Sequence, residues 1–155
     1  MKLWLAIVIP LYLLDQITKR LVLRYIGLDD VIVVIPDRFN LIQAHNTGAA
    51  FSMLSGNNHF FIGLASIAFI VLVVLTWRGS FKDKPSWVAS ALLASGIIGN
   101  LTDRILYGHV IDFLDVILPW YGHWPTFNVA DSCIFIAAFL FVIAAFRGEA
   151  QPKSA

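Results

Sequence analysis

The sequence predicts an all-α membrane protein: a four-transmembrane-helix bundle carrying a small extracytoplasmic β layer. Three observations predict it. The composition is 59% hydrophobic against 14% charged, with a mean hydropathy of +0.78, which departs from that of soluble domains. Apolar runs with few charges recur at roughly the 20 residues that a helix needs to cross a hydrocarbon core. A stretch of β-branched residues with adjoining turn signals follows the first run.

Two runs, residues 60–77 and 85–102, contain no charge. In the second, Ala91, Ser95 and Gly99 recur at i, i+4 and i+8, a stripe of small residues suited to close helix packing. A third run, 129–146, is interrupted only near its start by Asp131. At the N-terminus, Lys2 and the apolar run 3–14 imitate a secretory signal peptide, but no small-residue cleavage site follows. Apolar residues resume at Leu21, so residues 3–23 read as an uncleaved spanning helix. Its oddity is Asp15 with Lys19. At i, i+4 the two share a face and form a structural pair, which lowers the cost of ionisable groups near the bilayer.

Four spans put both termini on one side. Lys2, Arg78, Lys82, Lys84, Arg147 and Lys153 fall on that side, whereas segments 25–58 and 105–128 hold only Arg38. By the positive-inside rule the termini are cytoplasmic, although Lys19, Arg20 and Arg24 oppose the bias. In the first outer segment, residues 31–35 are β-branched throughout, Pro36-Asp37 signals a turn, and residues 39–44 suit a return strand. The chain has no internal repeat. Residues 1–147 read as one membrane-embedded domain and 148–155 as a polar cytoplasmic tail.

Composition and motifs exclude several chemistries. The formal charge of +1 and scattered basic residues argue against a nucleic-acid partner. Cys133 is the single cysteine and lies among Ile134, Phe135 and Ile136, as a buried thiol does. There is no Gly-x-Ser-x-Gly elbow, no Ser-x-x-Lys arrangement and no His-Glu-x-x-His, and the sole glutamate is Glu149. His45, His59, His109 and His123 show no ligand spacing, so no metal site is expected.

Aspartates remain. Asp103, Asp112, Asp115 and Asp131 all fall between the end of the third span and the start of the fourth. Asn100, Asp103 and Arg104 share a helix face at the membrane boundary, where Asp103 and Arg104 suit a helix anchor as well as a site role. Asp112 and Asp131 are each flanked by apolar residues, where desolvation raises a carboxyl pKa. If they lie close together, repulsion leaves one proton shared between them, giving one acid and one base. Spacing alone is equally consistent with two interfacial carboxylates.

At these residues the chain resembles the lipoprotein signal peptidase (signal peptidase II) family of bacterial membrane aspartic proteases. The resemblance rests on Asp15-Gln16-Ile17-Thr18-Lys19, Asn46-Thr47-Gly48-Ala49-Ala50-Phe51, Gly99-Asn100-Leu101-Thr102-Asp103-Arg104 and the Asp112 and Asp131 motifs, in that order along nearly the whole chain. It implies that Asp112 and Asp131 are a catalytic dyad and that Asn46, Gly48, Asn100, Asp103, Arg104 and Asn128 line or support the site. Gly48, without a Cβ, allows close backbone approach there. The implied activity removes the signal peptide of prolipoproteins on the N-terminal side of a diacylglyceryl cysteine, at the outer face of the cytoplasmic membrane. No cofactor is implied. The implied partners are those prolipoproteins, membrane lipid and globomycin-type cyclic peptide inhibitors. One departure is Ile97, where a smaller residue is expected between Gly96 and Gly99.

Two other classes compete. A small transporter would use the same carboxylates for cations or protons, but it favours acids at mid-depth and repeat symmetry, and most acids here lie at boundaries. A non-enzymatic assembly partner leaves the Asp, Asn and Gly motifs without a purpose.

Overall fold

The computed structural model describes residues 2–48 and 56–149. Its elements run α1 (Lys2–Tyr25), β1 (Val31–Ile35), β2 (Phe39–Asn46), α2 (Asn58–Trp77), α3 (Lys84–Tyr107), β3 (Val110–Leu118), β4 (Gly122–His123) and α4 (Val129–Glu149). The fold is mostly helical with one small antiparallel sheet. Helix α4 continues past the expected start of the polar tail at Gly148, and residues 150–155 of that tail lie outside the described residues.

Helix α3 packs against all three other helices, and its sequence explains why. Ala89, Ser90, Ala91, Ala94, Ser95, Gly96 and Gly99 are buried along it, so neighbouring backbones can approach closely. A Cβ on Gly99 would come within 2.6 Å of the Asp15 carboxylate, and one on Gly96 would collide with the Ala130 carbonyl and the Ile134 side chain. Ile97 fits without disturbing this stripe, because it packs against an apolar cluster of Trp4, Val8, Leu72, Ala91 and Ala94. Asp83 starts the helix by accepting from Ser86 N at 2.8 Å, and Gly108 ends it in the left-handed conformation at φ 80°. The helix therefore extends five residues beyond the uncharged run, with Arg104 in its last turn and Asp103 just before it.

Apolar faces point outward. On α2 the single buried residue is Leu72, while Phe60, Leu64, Ile67 and Ile70 are exposed; on α4 Phe135, Phe139 and Phe146 are exposed. Asn58–Trp77 and Val129–Arg147, with mean hydropathies of 2.6 and 2.5, are long and apolar enough to cross a membrane. Ionisable groups lower the hydropathy of α1, and Ser, Gly and Asn lower that of the uncharged run in α3, but α1 also turns Leu3, Ile9, Leu13, Ile17 and Leu21 outward.

The sheet has the order β1-β2-β3-β4. Strands β1 and β2 form the expected hairpin, with Asp37 taking the positive φ of its turn at 57°. Strand β2 then pairs with β3 so that Asn40 faces Asp115, Ala44 faces Asp112 and Asn46 faces Val110. A second apolar cluster of Val22, Ile26, Ile111 and Phe113 ties this sheet to the C-terminal end of α1. The Trp4 cluster lies toward the opposite end of α1, and the polar residues of α1 fall between the two.

Candidate active site

Asp131 stands in the first turn of α4, where Asn128 and Asp131 cap each other. Asn128 Oδ1 accepts from Asp131 N at 2.8 Å, and Asp131 Oδ2 accepts from Asn128 N at 3.3 Å. This reciprocal arrangement is a capping box built from Asn and Asp, so forming the helix end also sets the carboxylate. The other oxygen, Oδ1, accepts from Asn100 Nδ2 at 2.7 Å.

Asp112 reaches the same place from β3. Its oxygens accept from Asn128 Nδ2 at 2.7 Å and Asn46 Nδ2 at 3.0 Å. The carboxyl is pushed up to about 7, first by burial and then by the charge of Asp131, against the opposing pull of the two amide donors. Asn128, fully buried, thus touches Asp112, Asp131 and Asn100 together. Asp112 and Asp131 both line an open cavity of about 980 Å³. Its walls include His45 and Asn46 from β2, Trp124 and Phe127 before α4, and Ile134, Phe135 and Ala138 along α4.

Behind the carboxylates lies a buried ionic cluster. Lys19 Nζ sits 2.9 Å from Asp15 Oδ2 and 2.7 Å from Asp103 Oδ2, and donates to Asn100 Oδ1 at 3.0 Å. The expected Asp15–Lys19 pair is present, and Asp103 completes it, so Asp103 faces Lys19. Asp15 Oδ1 accepts from Ala130 N at 2.9 Å and Asp103 Oδ2 from Ile111 N at 3.2 Å, which joins α1 to α4 and α3 to β3. Arg104 Nη2 donates to Gly48 O at 2.6 Å, and its guanidinium lies 4.5 Å from the Phe61 ring centre. Asn46 Oδ1 accepts from Gly48 N at 3.0 Å, so this glycine links Arg104 to an amide that holds Asp112. Ala49, Ala50 and Phe51 of that motif lie outside the described residues.

Two sets of residues escape sequence reasoning. Gln16 Nε2 lies within hydrogen-bond reach of Asp15, the Gly99 carbonyl and Asp103; an amide beside Asp15 in an apolar run was its only signal. Asp115 is buried, accepts from Asn40 at 2.8 Å and meets His123 at 2.7 Å, a set created by the pairing of β2, β3 and β4. Cys133 is buried, as its neighbours predict.

Apolar helix faces around a buried and a half-buried carboxylate that open on one cavity fit the class of membrane aspartic proteases. A family model described as signal peptidase (SPase) II matches residues 7–147. Among curated relatives, the lipoprotein signal peptidase of Photorhabdus laumondii is 43% identical, covering 92% of this chain and 87% of that one. That of Thermodesulfovibrio yellowstonii is 42% identical, covering 84% and 85%. A solved bacterial membrane enzyme, obtained by the in meso method at 2.3 Å resolution, superposes with a TM-score of 0.91 at 32% identity, covering 100% of this chain and 95% of that one. The chain belongs to the signal peptidase II family, and is an aspartic protease of the membrane.

Proposed function

We propose that Asp112 and Asp131 act as one proton-sharing dyad that cleaves the signal peptide from diacylglyceryl-modified prolipoproteins, on the N-terminal side of the modified cysteine. Family membership supplies the reaction, removal of signal peptides from prolipoproteins. The observation that supports the residue assignment is the opening of both carboxylates onto one cavity, with Asp112 raised to about 7 partly by the charge of Asp131. Near neutral pH such a pair keeps one proton. The ionised carboxyl takes a proton from water as the oxygen attacks the scissile carbonyl, and the protonated carboxyl donates to the carbonyl oxygen. Collapse of the tetrahedral intermediate breaks the C–N bond as the carboxyl that took the water proton passes it to the leaving nitrogen, and one hydroxyl of the intermediate gives its proton back to the other carboxylate, which returns the dyad to its starting state. Asn46, Asn100 and Asn128 hold the carboxylates, and Gly48 and Arg104 support Asn46. The catalytic unit is residues 1–147.

All four helices cross the bilayer in this reading. Their 20 to 24 residues span about 30–36 Å at 1.5 Å per residue, against a core of about 30 Å. Helix α3 is surrounded by the other three, so its polar residues meet protein. Both termini are cytoplasmic and the sheet and dyad lie at the outer face. The cavity runs from the dyad along Ile134, Phe135 and Ala138 on the lipid side of α4, which suits a substrate whose acyl chains stay in the membrane. A globomycin-type cyclic peptide would occupy the same cavity.

Purified enzyme in detergent should cleave a diacylglyceryl-modified prolipoprotein, and a chelator should leave the rate unchanged. Loss of cleavage on chelation would overturn the aspartate mechanism. For the orientation, cysteine placed at Asn57 should react with an impermeant reagent outside intact cells and cysteine at Ser80 should not; labelling of Ser80 would reverse it.

A further inference from the structure

We infer that Lys19 is a positioning residue for catalysis, acting through Asn100 to aim one amide donor at Asp131, in addition to pairing with Asp15 and Asp103. The inference rests on the reading of Asp131 as half of the dyad.

The argument starts from what each atom can do. An ammonium has three N–H donors and no acceptor, whereas an Asn side chain has one acceptor oxygen and one donor nitrogen. Lys19 Nζ lies 3.0 Å from Asn100 Oδ1, and Asn128 Nδ2 lies 3.1 Å from the same atom. Two donors therefore converge on one end of the Asn100 amide. The other end, Nδ2, then faces Asp131 Oδ1 at 2.7 Å. Rotating the amide by half a turn would set its NH2 against an ammonium and its oxygen against a carboxylate. Lys19, with Asn128, thus sets which end of Asn100 meets Asp131, and Lys19 supplies the charged one of the two donors.

Lys19 is itself immobile. It is 1% exposed, and its remaining bonds go to Asp15 and Asp103, which are equally buried and anchored by Ala130 N and Ile111 N. Those two backbone donors belong to the residues that precede Asp131 and Asp112. The ammonium is thereby tied to the frame of both carboxylates, and a lost donor at Asn100 leaves the Asp131 carboxylate short of one of its two hydrogen bonds.

A structural role for Lys19 predicts loss of folded protein, whereas a positioning role predicts a slow enzyme among the molecules that fold. Lys19→Met tests this, with Lys19→Met/Asp103→Asn as the second variant. In the native cluster Asp15 (−1), Asp103 (−1) and Lys19 (+1) carry −1 together; in the double variant Asp15 alone carries −1, so the net charge is kept while the donor to Asn100 is lost. With activity per folded molecule measured on a diacylglyceryl-modified prolipoprotein, kcat should fall about 100-fold in both variants and KM should stay within about twofold. A folded double variant with kcat near the native value, or one that changes only KM, would overturn the inference. Asp131→Asn is run beside them. If that variant still cleaves, the dyad reading fails and the inference with it; if it is inactive while the double variant retains native kcat, the positioning role alone fails.

Discussion

Helix α2 and the seam between α1, α3 and α4 solve opposite problems with the same backbone. Helix α2 buries one residue, Leu72, and turns Phe60, Leu64, Ile67 and Ile70 outward. The seam buries Asp15, Gln16, Lys19, Asp103 and Asn128 and leaves none of them to face the exterior. In water the arrangement would be inverted. A bilayer makes the outward apolar face inexpensive and confines polar groups to places where each finds a partner. In the seam, Lys19 meets two carboxylates and an amide oxygen, and Asp15 meets an ammonium, an amide and a backbone N–H. Polarity is concentrated behind Asp112 and Asp131 and removed from the outward face of α2.

The contrast can be broken from either side. Ile67→Arg places on the outer face of α2 the kind of charge that the seam accommodates, but without a partner. It should cost about 3 kcal/mol and show as reduced insertion or a lowered Tm of the purified protein. Full insertion and native Tm would show that this face does not meet lipid.

Asp15→Ala attacks the seam. Lys19 keeps Asp103, so the ammonium is not stranded, but it loses one of two counter-charges and Ala130 N loses its acceptor. A loss of about 2 kcal/mol is expected, read as lower folded yield with activity per folded molecule falling less. Normal yield with abolished activity would move Asp15 from support to the site itself. Leu64→Ala should change stability by about 0.5 kcal/mol or less, because an exposed side chain on α2 leaves no cavity when shortened. A loss as large as that of a core Leu would mean that α2 is covered by protein.

The same contrast explains what could be read from the sequence. Uncharged runs locate α2 and most of α4 because lipid contact demands uniform apolarity. Helix α1 was legible too, through the resumption of apolar residues at Leu21 after the Asp15–Lys19 interruption. The far end of α3 was not, since Asp103 and Arg104 end the apolar run while the helix continues to Tyr107 and stops only at the left-handed Gly108. Strand β1 and its turn were visible in five β-branched residues followed by Pro36-Asp37. Strand β3 was hidden: it buries Val110, Ile111, Asp112, Phe113 and Asp115, so both of its faces are covered and no alternation marks it. Asn40 and Asp115 meet only through strand pairing across 75 residues, which no local pattern encodes, and His123 joins Asp115 through the pairing of β3 with β4. The Asp112 and Asp131 motifs could be quoted in order, and the run beginning at 129 marks the start of α4, but that Asn128 and Asp131 cap each other there was not read from the sequence.

The protonation of Asp112 adds a pH dependence whose sign is defined. Its folded carboxyl sits near 7, above the ordinary 3.8, so the folded protein binds the proton more tightly than the unfolded chain does. Stability from this group is full below about 3.8 and declines as pH rises through about 7. If the two aspartates act as proposed, activity should follow the same proton, with an alkaline limb near 7 where the acid is lost and an acid limb where the base is protonated.

The most direct test of the dyad is cleavage of a diacylglyceryl-modified prolipoprotein by folded Asp112→Asn, Asp131→Asn and the double variant, across pH. Asn keeps the shape of Asp and lacks only the ionisable group. Each single variant should fold and fail to turn over, the double variant should be no worse than either, since the two carboxyls act as one unit, and the native enzyme should show the bell-shaped profile with its alkaline limb near 7. Substantial cleavage by either folded single variant would contradict the dyad.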